Sequence, residues 1–147
     1  MSDVVRSIVS TIREELTKHR NKPFLEAAMA VAAYIAMADG KVSFSERSRL
    51  DAILETIEAL RIYDPHDAVD LFNELAGDLG EDTVTAHESV FETVVPFAGE
   101  PIQARLLLRI GHAVAHADGA FSPAECSRLK EICRALALPE AEAAEWP

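Results

Sequence analysis

Residues 24–38 run Phe-Leu-Glu-Ala-Ala-Met-Ala-Val-Ala-Ala-Tyr-Ile-Ala-Met-Ala, with Glu26 as the only charged side chain. Together with Pro23 this reads as a helix that is apolar almost all round, and such a helix is buried on most sides. The run is too short to span a bilayer, which takes about 20 apolar residues. No longer one occurs in the chain. Other helices must therefore surround this one, and a length of 147 residues with 49% hydrophobic content supplies enough of them for one core.

The rest of the sequence supports an all-α fold. Most of its 6 glycines and its 7 prolines fall between segments of helical period. No segment alternates polar and apolar residues over a strand's length. Val4, Ile8, Ile12 and Leu16 stripe a first helix over 3–19, and the apolar segment forms a second over 23–38. A third spans 44–61, with Leu50, Ile53, Leu54, Ile57 and Leu60 inward. Asp64-Pro65 opens a fourth that Gly80 ends. The remaining three run from Thr83 or Thr85 to Val95, from Pro101 to Ala117, and from Pro123 to Leu138. The expected architecture is thus one domain, 1–147, of about seven helices. It divides into an N-terminal helix (1–22), a first hairpin (23–63), an acidic connector (64–100), a second hairpin (101–138) and a tail (139–147).

Charge is distributed unevenly. The net charge is −11, yet residues 64–100 alone hold ten acids and no Lys or Arg, while residues 1–22 carry +2. So acidic a surface repels a phosphate backbone, which argues against nucleic-acid binding, and attracts cations and basic partners. Along the fourth helix Asp67, Asp70, Glu74 and Asp78 recur at spacing three or four without interleaved bases, so they repel one another. The basic end of the first helix, Lys18, Arg20 and Lys22, could relieve that repulsion or face anionic lipid. The N-terminus lacks a continuous apolar signal segment. Cys126 and Cys133, about 10 Å apart on one helix, are too distant for a disulfide. Both points suggest the cytoplasm.

An internal repeat carries the most specific chemistry. Ala38-Asp39-Gly40-Lys41-Val42-Ser43-Phe44-Ser45-Glu46 and Ala117-Asp118-Gly119-Ala120-Phe121-Ser122-Pro123-Ala124-Glu125 match at an offset of 79. Each follows an apolar helix and precedes an amphipathic one. Helix punctuation accounts for much of the pattern. Gly40 and Gly119 suit left-handed helix ends, and Ser43/Glu46 and Ser122/Glu125 suit capping boxes. It does not account for Asp39 and Asp118, since a carboxylate at a helix C-terminus is unfavourable by about 0.3–1 kcal/mol. Asp-Gly with Glu six residues after the Gly matches the second half of an EF-hand loop. The first-half positions are Ile35, Met37, Val114 and His116, which are poor Ca²⁺ ligands, so neither copy is an EF-hand. Each is a half-site of hard oxygen ligands suited to Ca²⁺ or Mg²⁺.

The order of further segments resembles the tellurite-resistance TerB family over nearly the full length. The resemblance runs through Arg13-Glu14-Glu15-Leu16, Asn21-Lys22-Pro23-Phe24, Asp39-Gly40, Tyr63-Asp64 and Val69-Asp70-Leu71-Phe72-Asn73-Glu74-Leu75. It continues in Leu108-Arg109-Ile110-Gly111-His112-Ala113-Val114-Ala115, Asp118-Gly119 and Glu131-Ile132-Cys133-Arg134-Ala135-Leu136. It implies an all-helical bacterial protein of tellurium resistance and stress response. Such a protein is acidic, non-enzymatic and divalent-cation-binding, and works beside the membrane protein TerC. It implies a cytoplasmic location, with peripheral contact at the inner face of the membrane. Carried over by position, the metal ligands are Asp39, Glu46, Asp118 and Glu125, expected on the surface and taking Ca²⁺ or Mg²⁺ ahead of Zn²⁺.

Other readings compete. His112 and His116, four apart and near Cys126, could begin a zinc site, but no second pair completes it. Cys126 at a helix start could act as a thiolate on tellurite, whereas Cys133 falls on the core phase. A metal-free adaptor would use the 64–100 segment to dock a basic partner. No phosphate loop, Ser-His-Asp signal or His-Glu-x-x-His is present, so an enzyme is not expected.

Overall fold

A computed structural model describes residues 2–57, 60, 63–81, 83–117 and 119–144, without the side chains of 18–20, and six α-helices are bounded among the described residues. They are α1 (Asp3–Ala36), α2 (Phe44–Thr56), α3 (Pro65–Gly80), α4 (Val84–Val94), α5 (Pro101–Ala115) and α6 (Pro123–Ala135). Short 3₁₀ turns follow α1 (Met37–Asp39), α4 (Val95–Phe97) and α6 (Glu140–Ala143). No strand occurs among the described residues, so the all-α expectation holds.

Local chemistry sets most of the boundaries. Asp64 caps α3 ahead of Pro65, and the Thr83 hydroxyl accepts from the Ala86 amide at 3.1 Å to start α4. Ser43 and Ser122 each complete a capping box. After α6 the chain turns through Ala137 at φ 57°. The Leu138 amide donates to the Cys133 carbonyl at 2.8 Å and the Ala137 amide to the Arg134 carbonyl at 3.1 Å. That pair of bonds is a Schellman ending.

Some boundaries differ from the sequence expectation. The third expected helix, 44–61, ends as α2 at Thr56, where Ile57 is extended at ψ 114°. The first two expected helices are a single helix of 34 residues with Pro23 inside it. An interior proline loses one backbone hydrogen bond and costs about 3 kcal/mol. Pro23 sits on the exposed side, and the segment directly after it is the most deeply buried part of the chain. From Ala27 to Ala36 no side chain is more than 2% exposed. Fully burying each larger residue there, such as Met29, Val31 and Ile35, is worth about 1.5–3 kcal/mol, enough to offset the proline.

The C-terminal part of α1 is the axis of the fold. It packs against α3, α4, α5 and α6. Phe72 and Leu79 of α3, Val90 and Val94 of α4, Leu107 and Ile110 of α5, and Leu129 and Ile132 of α6 complete one cluster. The small side chains of α1 let these helices approach closely, and Gly111 of α5 marks the tightest point. A Cβ there would stand 2.8 Å from Leu129 Cδ2 and 3.1 Å from Val31 Cγ1. The N-terminal part of α1 lies outside this cluster, with Val4, Ile8, Ile12 and Leu16 all more than half exposed.

Candidate functional site

The two Asp-Gly turns meet. Gly40 (φ 88°) and Gly119 (φ 79°) both take the left-handed conformation that makes the turn. The first turn packs against α6, and there the Ser122 hydroxyl donates to Asp39 Oδ1 at 3.4 Å. The exposed carboxylate of the first copy therefore rests on the helix start of the second. Asp118 lies outside the described residues.

Glu46 and Glu125 behave differently from the expectation that they are surface ligands. They are 6% and 3% exposed. Glu46 Oε1 accepts from the Ser43 amide at 2.8 Å, and Glu125 Oε1 accepts from the Ser122 amide at 2.9 Å. The capping box explains the burial: it draws each carboxylate back onto its own helix start. Among the described residues, no three of His, Cys, Asp and Glu are grouped so as to hold a metal ion. This also covers His112, His116 and Cys126.

The two histidines form a packed cluster. Their rings stack at 5.7 Å, and Phe121 of the second turn lies 4.4 Å from His116. His112 is 2% exposed, and its Nε2 bonds the Glu142 carbonyl at 2.8 Å. Burial lowers its pKa; the Glu142 carbonyl opposes this in part, and the charge of His116 adds to the lowering. His112 thereby pins the C-terminal turn to α5. Cys133 is fully buried, as its helical phase predicts, and burial with the nearby Glu142 and Glu140 pushes its thiol up to about 11. Cys126 is half-buried.

The acidic connector builds a groove. Glu26 of α1, Glu74 and Asp78 of α3 and Glu92 of α4 line a cavity of about 330 Å³ over Leu71 and Leu75. Four carboxylates thus converge from three helices, with no base among the described lining residues. Three of them belong to the 64–100 segment. Glu26 is the single charge of the apolar segment, and it points the buried helix toward the same groove.

A second polar cluster was not foreseen from the sequence. Tyr34 of α1 is 2% exposed. Its hydroxyl donates to Glu131 of α6 and lies 3.4 Å from Nδ1 of His87 on α4. Arg128 of α6 lies over the Tyr34 ring at 4.4 Å and donates to the Tyr34 carbonyl at 2.7 Å. His87 and Phe91 meet the ring edge-on, each at 5.4 Å. Phe91 also lines an apolar dent of about 460 Å³ with Val95 and Pro96. The available signal was a lone tyrosine in an alanine-rich buried helix, because a buried phenol needs a polar partner.

Comparison with known proteins agrees with this architecture. The family model described as "Tellurite resistance protein TerB" matches residues 25–146. A protein of Alcaligenes sp described as "Tellurium resistance protein TerB" is 29% identical over 113 residues, covering 74% of this chain and 93% of that protein. No solved structure is significantly similar to the chain. The family match begins where α1 enters the core, and leaves residues 1–24 outside it.

Proposed function

Because the chain belongs to the TerB family of tellurite-resistance proteins, we propose that it serves tellurite resistance as a non-enzymatic module that docks a basic partner in the acidic groove. The observation that carries this reading is the convergence of Glu26, Glu74, Asp78 and Glu92 over an apolar floor. Like charges held together raise each other's free energy, and a basic surface relieves this while its apolar contacts cover Leu71 and Leu75. A field of that sign also steers basic partners into the groove. The family resemblance makes a membrane protein of the same system, TerC, the natural partner, and the inner face of the membrane the place of contact. The test is capture of TerC by the chain. Glu74→Lys with Asp78→Lys should abolish capture, and a chelator should leave it intact. Capture that survives the charge reversal overturns the reading.

The contact between the two turns supports a second reading, a divalent cation held where they meet. Asp39 supplies a hard oxygen ligand beside the Ser122 hydroxyl, and Asp118 precedes Ser122 by four residues in the sequence. Such ligands suit Ca²⁺ or Mg²⁺. The burial of Glu46 and Glu125 fits a cation poorly, since their carboxylates would have to leave the N-cap amides. Calorimetry with Ca²⁺, Mg²⁺, Mn²⁺ and Zn²⁺ should give heat that Asp39→Asn with Asp118→Asn removes. No heat, or heat unchanged by the substitutions, would falsify this reading.

A further inference from the structure

We propose that the N-terminal arm of α1, residues 3–22, is an interfacial helix that lies on an anionic lipid bilayer. This stands apart from the groove reading, since it uses other residues and a different ligand.

The arm is helical throughout, yet it buries none of its apolar side chains. Val4, Val5, Ile8, Val9, Ile12 and Leu16 are 36–69% exposed. At about 100° per residue they occupy an arc of about 140°. Arg6 and Arg13, seven residues apart and both exposed, lie along one border of that arc, and Glu15 falls within it, about 20° from the other border. The opposite face is mostly small and polar: Ser7, Ser10, Thr17 and Glu14. Thr11 and Thr17 return their hydroxyls to the helix carbonyls at 2.9 and 2.8 Å, so that face presents little to a protein partner. A narrow apolar stripe bordered by arginines matches a helix lying in the headgroup region.

The charge of the arm favours the same surface. Residues 1–22 carry +2, whereas the whole chain carries −11. A net-basic stretch is thus joined to the exposed apolar stripe, and bases beside an apolar stripe are drawn to anionic headgroups. Spanning the bilayer is excluded for the described helices, none of which is long and apolar enough.

A second copy of the chain is a poorer occupant. Read as a seam, Val5, Val9, Ile12 and Leu16 make about two heptads, and a self-sufficient coiled coil needs about three or four. Two copies also bring together two bodies of strong negative charge. The arm falls outside the family match, and its apolar stripe lies outside the buried core.

The test is co-sedimentation of the full chain with vesicles of pure phosphatidylcholine and of phosphatidylcholine mixed with phosphatidylglycerol, with no other protein present. The chain should bind the mixed vesicles, and raised salt should weaken binding. Ile8→Asp with Ile12→Asp should lower the partition by about tenfold or more. Arg6→Glu with Arg13→Glu should reduce it to the level of neutral vesicles while leaving the apolar stripe intact. Neither pair should shift the melting of the body, because all four side chains are exposed. Absence of binding, or binding that neither pair alters, overturns the proposal. So does a two-chain mass in sedimentation equilibrium that Ile8→Asp with Ile12→Asp returns to one chain, which would make the second copy the occupant. Failure with lipid alone would leave capture of a basic partner by the groove untouched.

Discussion

Ser122, the N-cap of α6, donates its hydroxyl to Asp39 at 3.4 Å while accepting from the Glu125 amide at 3.1 Å. The residue that starts a helix in one copy of the repeat thus bonds the carboxylate that ends a helix in the other. Ser43 holds the same cap position in the first copy, accepting from the Glu46 amide at 3.1 Å, and Asp39 does not bond it.

This difference between equivalent serines is measurable. Ser43→Ala and Ser122→Ala should each cost about 1 kcal/mol, the usual loss of an N-cap. A double-mutant cycle with Asp39→Ala should give a coupling of about 0.5 kcal/mol for Ser122 and near zero for Ser43. Urea unfolding reads both. Equal couplings would mean that Asp39 acts only through the general field of its turn.

Gly111→Ala should destabilise the fold even though it improves helix propensity. Propensity favours Ala by about 1 kcal/mol, but a Cβ at 2.8 Å from Leu129 and 3.1 Å from Val31 overpacks the axis, at about 1–3 kcal/mol. Gly77 of α3 is the control, because nothing lies within 4 Å of a Cβ there. Gly77→Ala should stabilise by about 0.5–1 kcal/mol. If the two substitutions shift the melting temperature in the same direction, the close crossing of α1, α5 and α6 is wrong.

Stability should fall with pH through His112. Its pKa is lowered in the folded state, first by burial, so the unfolded chain binds its proton more tightly. The contribution is fully present above the unfolded value of about 6.5 and is lost as pH falls below it toward the folded value. Melting temperatures between pH 7.5 and 5 (the window of about 6.5 and below) should decline, and His112→Gln should flatten that decline whatever its own baseline stability. An unchanged slope in the variant would assign the effect to other groups.

The two thiols should separate cleanly. Cys133 is fully buried with its thiol pushed up to about 11, and thiolate is the reactive form. A disulfide reagent at neutral pH should modify one thiol in the native protein and both in denaturant. Cys126→Ser should abolish the native reaction. Rapid native modification of Cys133 would contradict its place in the core.

Features that depend on neighbouring residues were legible in the sequence. Ser43/Glu46 and Ser122/Glu125 were recognisable as capping boxes, and Pro65, Pro101 and Pro123 as helix starts, because each is settled within one turn of chain. Helical phase placed Cys133 inside, and Leu50, Ile53 and Leu54 likewise. Features that depend on distant packing were not legible. Pro23 argued locally for a break, and burial of the following turns overrode it. Glu46 and Glu125 offered the same carboxylate to a cap or a cation, and only their burial distinguishes the two uses. Tyr34 gave no hint of Glu131, His87 or Arg128, because those partners lie on two other helices far along the chain.

The unbroken course of α1 through Pro23 has a geometric consequence. The arm and the axis of the body are one piece of secondary structure, so a molecule seated on its arm does not swivel freely. Its heading is set to within whatever bend Pro23 allows. Whatever surface fixes the arm thereby fixes which way the four carboxylates of the groove look, so the chain can act as a bracket as well as a binder.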